Sequence, residues 1–198
     1  MSDLETVGDA AGFRRFPLLG FSQGCAISIA FAVRHPERVS HLILIGGYAV
    51  GRAKRPHLSD ADRQRLAAMA TLIKLGWGAD EPTFRQIFTS QIMPTATKEQ
   101  ADAFNELQRK SASPETAARY FETVNNFDVQ NLLPRVAVPT LVMHVRDAIS
   151  QPVELGREIA AGIPGARFVA LPGKNNVFLE HDPGLPIFLE EIQKFLCA

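Results

Sequence analysis

The chain has 198 residues, 46% of them hydrophobic and 21% charged, with 21 basic residues against 21 acidic ones. That length and apolar fraction suit one globular domain with a real core, and the balanced charge supplies no field to draw nucleic acid or an anionic membrane. Two cysteines form neither a disulfide framework nor a metal-binding spacing, and no apolar run approaches the ~18 residues of a membrane span.

Taken in chain order, Ser2 to Ala11 places Leu4, Val7 and Ala11 on one helical face and predicts a short helix of about three turns. Phe16 to Phe21 is an apolar run of strand length, and Ser22 follows within Gly20-Phe21-Ser22-Gln23-Gly24. The small and apolar residues after Gly24 predict a buried helix to Arg34, closed by His35-Pro36. Strand, G-x-S-x-G and helix together predict a nucleophile elbow, a strained turn that lifts the serine hydroxyl above the sheet edge. The competing reading is a plain strand-to-helix turn. Glycines on both sides of the serine are expected to keep strand and helix backbones apart. Cys25, inside the helix, reads as a small core residue.

Val39 to Ile45 is a mostly apolar strand closed by Gly46-Gly47, the composition of a parallel strand buried on both faces. From Arg52 to about Pro134 the pattern turns helical, broken at Gly76-Trp77-Gly78, Pro94 and Ser113-Pro114. Ser59 caps a helix carrying Leu66, Met69, Ala70 and Ile73, and helices over Glu99 to Lys110 and Pro114 to Val124 follow. Trp77, Phe84, Phe88, Phe104, Tyr120 and Phe121 either line a pocket or form this insertion's own core, the commoner fate of aromatics. Val138 to Val145 returns to strand, Glu154 to Ala161 is helix, and Ala166 to Leu171 is strand. Asp182-Pro183 predicts a cap for a final amphipathic helix carrying Phe188, Leu189, Ile192, Phe195 and Leu196. The alternation predicts an α/β fold with a parallel sheet: core residues 1–51, a helical cap over 52–134, and core residues 135–198.

Elbow, helical insertion and two closing strand-helix units in this order resemble the C-terminal part of an α/β-hydrolase, over nearly the whole chain. The stretches S-Q-G, A-V-R-H-P-E-R-V, G-G-Y-A-V-G-R, L-G-W-G and L-L-P-R-V-A-V-P-T-L-V are most similar to bacterial hydrolase-like domains attached to adenylate cyclases and transcriptional regulators. The resemblance implies an ester-type hydrolase that works through an acyl-enzyme, without cofactor or metal. It places the nucleophile at Ser22 and one oxyanion-hole donor at the N–H of Gln23. It places the orienting acid at Ala148, with Asp147 one position earlier as the substitute, against a solvated loop charge. It places the general base at Asn176, at the end of Gly173-Lys174-Asn175-Asn176, where an amide has no protonation equilibrium near neutral pH. His181, five residues later, and His144, at a strand end, are the displaced candidates. Complete members also carry four strands ahead of the elbow and a loop giving the second oxyanion donor, whose loss typically costs about 100-fold or more in rate.

Three functions stay open: a serine hydrolase for a small acyl ester, a non-catalytic ligand-binding or signalling module derived from one, and a fragment of a longer product. The expected ligand is a small ester or apolar molecule. The expected partner is a second copy, or a missing N-terminal half, that covers the apolar edge of the Phe16 strand. With no membrane span and an acidic, non-apolar start, the expected location is the cytoplasm.

Overall fold

The computed structural model describes residues 2–197. Four parallel strands, β1 (Phe16–Phe21), β2 (Val39–Ile45), β3 (Thr140–Val145) and β4 (Arg167–Leu171), lie side by side in the order β1-β2-β3-β4. Parallel neighbours need crossovers, and helices supply them. Helix α1 (Ser2–Ala10) leads into β1, α2 (Gly24–Arg34) joins β1 to β2, and α7 (Val153–Gly162) joins β3 to β4. Between β2 and β3 stand α3 (Asp60–Gly76), α4 (Thr83–Ile92), α5 (Lys98–Ser111) and α6 (Pro114–Asn126). Helix α8 (Gly184–Leu196) closes the chain.

Side-chain alternation along the strands divides the core into two layers. Leu18, Leu42, Leu44 and Val142 face α2 and α7 and pack with Ile29 and Ile159, while Ile43, Ile45, Leu141, Met143 and Leu171 face α8 and meet Phe188, Ile192 and Phe195. Each such buried Leu or Ile contributes about 1.5–3 kcal/mol. Helix α8 contacts β3 and β4, and its Phe195 reaches His41 of β2 at 5.2 Å between ring centres. Leu19 and Phe21 of β1, on that same side of the sheet, stay 46% and 38% exposed.

The first helix departs from its expected face. Val7 is exposed, whereas Leu4 packs on the core and Gly8 is buried, since a side chain at Gly8 would meet the Arg38 guanidinium and the Phe16 ring. Polar contacts accompany this docking: Glu5 lies 2.6 Å from His35 and Asp9 lies 2.8 Å from Arg38, at and just beyond the end of α2. Asp182 also differs from its expected capping role. Pro183 is the N-cap of α8, and the Asp182 carboxylate turns back to accept the Leu179 N–H at 2.7 Å.

Within the insertion, Ser59 caps α3 by accepting from Asp62 N, and Thr97 with Gln100 forms a capping box on α5. Arg85, 1% exposed, donates to the carbonyls of Trp77 and Ala79 at 2.7 and 2.6 Å and so satisfies the chain as it leaves α3. Thr89, Asn105 and Gln108 form a buried polar bridge between α4 and α5. No helix among the described residues is long and apolar enough to cross a membrane.

Candidate active site

Ser22 follows the end of β1 and precedes α2, with φ of +52°. A non-glycine residue held there costs about 1–3 kcal/mol, which the surroundings must offset. Its N–H donates to Ile45 O at 2.8 Å and its carbonyl accepts from Cys25 N at 3.1 Å, so the neighbouring strand and the new helix fix the turn from both sides. The two glycines of the motif divide the expected steric duty unequally. A Cβ on Gly20 would lie 2.8 Å from Cys25 Cα and 2.9 Å from Gly24 O, while Gly24 has nothing within 4 Å. Gly47, beyond β2, takes the other part, since a Cβ there would lie 2.3 Å from Cys25 Sγ. Cys25 is a core residue as expected, fully buried with its thiol pushed up to about 12 by desolvation.

Above the elbow, between the strand ends and the inserted helices, lies a cavity of about 620 Å³. Ser22, Gln23 and Asn176 line it together, and Trp77, Phe88, Phe104, Tyr120 and Phe121 form its far wall. Trp77, Phe88 and Phe121 also pack on Ile73, Ala117 and Ala118, so the pocket reading and the core reading of these aromatics both hold. Phe84 is the exception: it fills the space beside Gly76 and does not reach the cavity. Gln23 stands at the head of α2, where a helix leaves its first N–H groups unpaired and its dipole favours negative charge.

The other residues expected at the site lie elsewhere. Asp147 is exposed on the loop after β3, tied by its backbone N–H to Gly173 O, and does not line the cavity. Ala148 is buried in the α8-side cluster with Ile43 and Met143. His181 is exposed and outside the cavity. His144 is fully buried beneath α7. Its Nε2 donates to Gln151 O at 2.8 Å, its Nδ1 is unpaired, and desolvation lowers its pKa. None of the five histidines lines the cavity.

Asn176 is 8% exposed, its N–H donates to Ile92 O at 2.7 Å, and its side-chain Oδ1 is buried without a hydrogen-bond partner. Among the described residues the wall holds no aspartate, glutamate, histidine, lysine or cysteine. Its titratable groups are two tyrosines and two arginines. Burial pushes the Tyr48 phenol up to about 12 and raises Tyr120, so neither is a base near neutral pH. The arginines, Arg52 and Arg55, were not singled out in the sequence. Their signal there is the cluster Arg52, Lys54 and Arg55, beginning at the last residue of the G-G-Y-A-V-G-R stretch.

Residues 2–182 match the profile of the alpha/beta hydrolase fold family. The RutD protein of Klebsiella pneumoniae strain 342, whose name marks it as a proposed carbamate hydrolase, is 28% identical over 171 residues, covering 82% of this chain and 59% of that protein. A 2-hydroxy-6-oxononadienedioate/2-hydroxy-6-oxononatrienedioate hydrolase from a Pseudomonas species is 23% identical over 164 residues, 81% of this chain and 56% of its own length. The chain therefore spans less than three-fifths of these curated relatives. The crystal structure of a hydrolase from Pseudomonas aeruginosa PA01 superposes on all of this chain and on 70% of its own, with a TM-score of 0.75 and 25% identity.

Proposed function

Because this chain belongs to the α/β-hydrolase fold family, we propose that it is a nominal serine ester hydrolase, with Ser22 at the elbow, whose chemistry is weak or lost while its ligand cavity is kept. One observation carries this reading: Asn176, not a histidine, lines the cavity together with Ser22, and among the described residues no side chain of the wall takes a proton near neutral pH. A serine hydroxyl without a base is a poor nucleophile. The N–H of Gln23 supplies electrostatic help to an oxyanion, but that term acts on a bond the serine has yet to form. Binding needs none of this. A mostly apolar cavity with a few polar groups on its wall is what a small ester or an apolar ligand requires.

The four inserted helices act in this reading as a cap over the site. The kinship with regulator-associated hydrolase-like domains, and a cytoplasmic location, rest on the sequence and belong to the same proposal. So does self-association: Leu19 and Phe21 leave apolar surface on the α8 side of the edge strand β1, which a second copy would cover. The retained strain at Ser22 favours a second reading, a slow hydrolase, because an unused elbow has no need of a left-handed serine.

The test is paired hydrolysis of an activated ester by the wild-type chain and by Ser22→Ala, with fluorophosphonate labelling of Ser22. The expected result is equal background rates and negligible labelling. Modest serine-dependent turnover would decide for the slow hydrolase, and turnover far above the variant, or rapid stoichiometric labelling, would overturn the reading that the chemistry is weak or lost.

A further inference from the structure

The arginines of the cavity wall have no role in the reading above. Arg52 opens a short 3-10 turn (Arg52–Lys54) after β2 and Arg55 caps its end, and both side chains line the same cavity as Ser22. Both are half-buried. Arg52 donates to Ser150 O at 3.0 Å, and Arg55 donates to Val50 O at 3.2 Å and to Gln151 Oε1 at 3.4 Å. Each guanidinium carries five N–H donors, so these contacts position the forks and leave several donors over. Arg55 also stands over the Tyr48 ring, 5.4 Å from its centre, and Tyr48 in turn stacks on Phe127. The platform holds the guanidinium in place.

Charge balance is what this corner lacks. Neither arginine has a carboxylate within ion-pair distance among the described residues, whereas Arg38, Arg65, Arg109, Arg157 and Arg167 each do. Glu158 is the one acid that draws on Arg55, and it is exposed on α7 and forms no ion pair with it. Burial and the like charge of Arg52 hold Arg55 below its ordinary pKa. Two neighbouring cations facing a mostly apolar cavity without a counter-ion are an arrangement that a bound anion would relieve.

We infer that Arg52 and Arg55 form a carboxylate-binding subsite, so that the ligand of this cavity is an organic acid with an apolar body. Its carboxylate sits on the guanidinium forks beside Tyr48, and its body lies along Trp77, Phe88 and Phe121. The planar fork matches a carboxylate in two-point contact, which neither Gln108 nor Asn125 elsewhere on the wall offers. The inference rests on the reading that the cavity over Ser22 binds a ligand, and it does not depend on whether Ser22 turns anything over.

Titration calorimetry with two probes of equal shape separates these claims: 3-phenylpropionate and its uncharged amide, 3-phenylpropionamide, each added to the wild-type chain at low and high salt. The expected result is that the acid binds about tenfold or more tighter than the amide at low salt, with the gap narrowing as salt rises. Arg52→Gln and Arg55→Gln should each erase most of that preference by weakening the acid far more than the amide, and the amide's continued binding shows the cavity intact. Equal binding of acid and amide by the wild-type chain overturns the subsite and leaves the cavity reading standing. Binding of neither probe overturns the cavity reading and the subsite with it. Because the decisive comparison uses the wild-type protein, a variant that fails to fold does not blunt it.

Discussion

Asn175 Nδ2 donates to the Asp182 carboxylate, 2.8 Å from Oδ1, and both residues are buried. The same amide group donates to Thr95 Oγ1 at 2.6 Å, and Asn175 Oδ1 accepts from Thr95 N at 3.1 Å. The loop after β4 is thereby tied to the insertion and to the start of α8 through one side chain. Asn176, its neighbour, has an unpaired Oδ1. One asparagine is consumed by the fold and the next is left to the cavity.

Asp182→Ala should therefore destabilise the protein although its carboxylate does not line the cavity. The change strands the Leu179 N–H and part of the Asn175 amide in a buried place, at about 1–3 kcal/mol. For a chain of this length that corresponds to a fall in Tm of about 2–12 °C. Calorimetric melting of the two proteins measures it. An unchanged Tm would mean that water takes over both donors.

The motif glycines should respond differently to alanine. Gly20→Ala drives a methyl into the backbone of Cys25 and Gly24 and should cost well over 1 kcal/mol, with loss of the elbow geometry. Gly24→Ala meets nothing, has no positive φ to protect and lies in the first turn of α2, so it should be neutral or stabilising by up to about 1 kcal/mol. Urea unfolding of the pair gives the sign of each.

That asymmetry shows what the sequence could and could not carry. Strand lengths, the elbow and the order of elements were legible, because periodicity and turn chemistry are local properties of the chain. The G-x-S-x-G pattern looks symmetrical in sequence, yet Gly47, 23 residues beyond Gly24, shares the steric duty that Gly24 does not perform. The docking of α1 through Leu4 and Gly8, with Val7 exposed, brings Glu5 and Asp9 to His35 and Arg38, partners distant in the chain. Arg85, Arg52 and Arg55 were invisible for the same reason: a buried or cavity-facing arginine is written no differently from a solvated one.

His144 gives the fold a pH dependence of known sign. Burial lowers its folded pKa below the unfolded value of about 6.5, so in the window between the two the unfolded chain binds more protons. Stability then rises with pH in that window and is lost as pH falls below about 6.5, by at most about 1.4 kcal/mol per pH unit for one group. Urea melts at stepwise pH should show a steeper loss in the wild type than in His144→Gln, which keeps a donor for Gln151 O. Equal slopes would assign the acid sensitivity to other groups.

Restoring a histidine at the base position should not restore hydrolysis. Asn176→His places an imidazole on the cavity wall near Ser22, but the position that would orient it is Ala148, buried among Ile43 and Met143, and Asp147 points to solvent. An imidazole without an orienting acid is free to adopt the wrong tautomer, and removal of that acid alone costs a working triad about 10⁴ in kcat. Triad members act as a unit, so supplying one of two absent members recovers little of the rate. The expected rate of Asn176→His on an activated ester is that of Asn176→His/Ser22→Ala within a few-fold, with no rapid fluorophosphonate labelling. A serine-dependent rise of tenfold or more would show that another group holds the new imidazole, and Gln151, already on the cavity wall, would be the first to substitute.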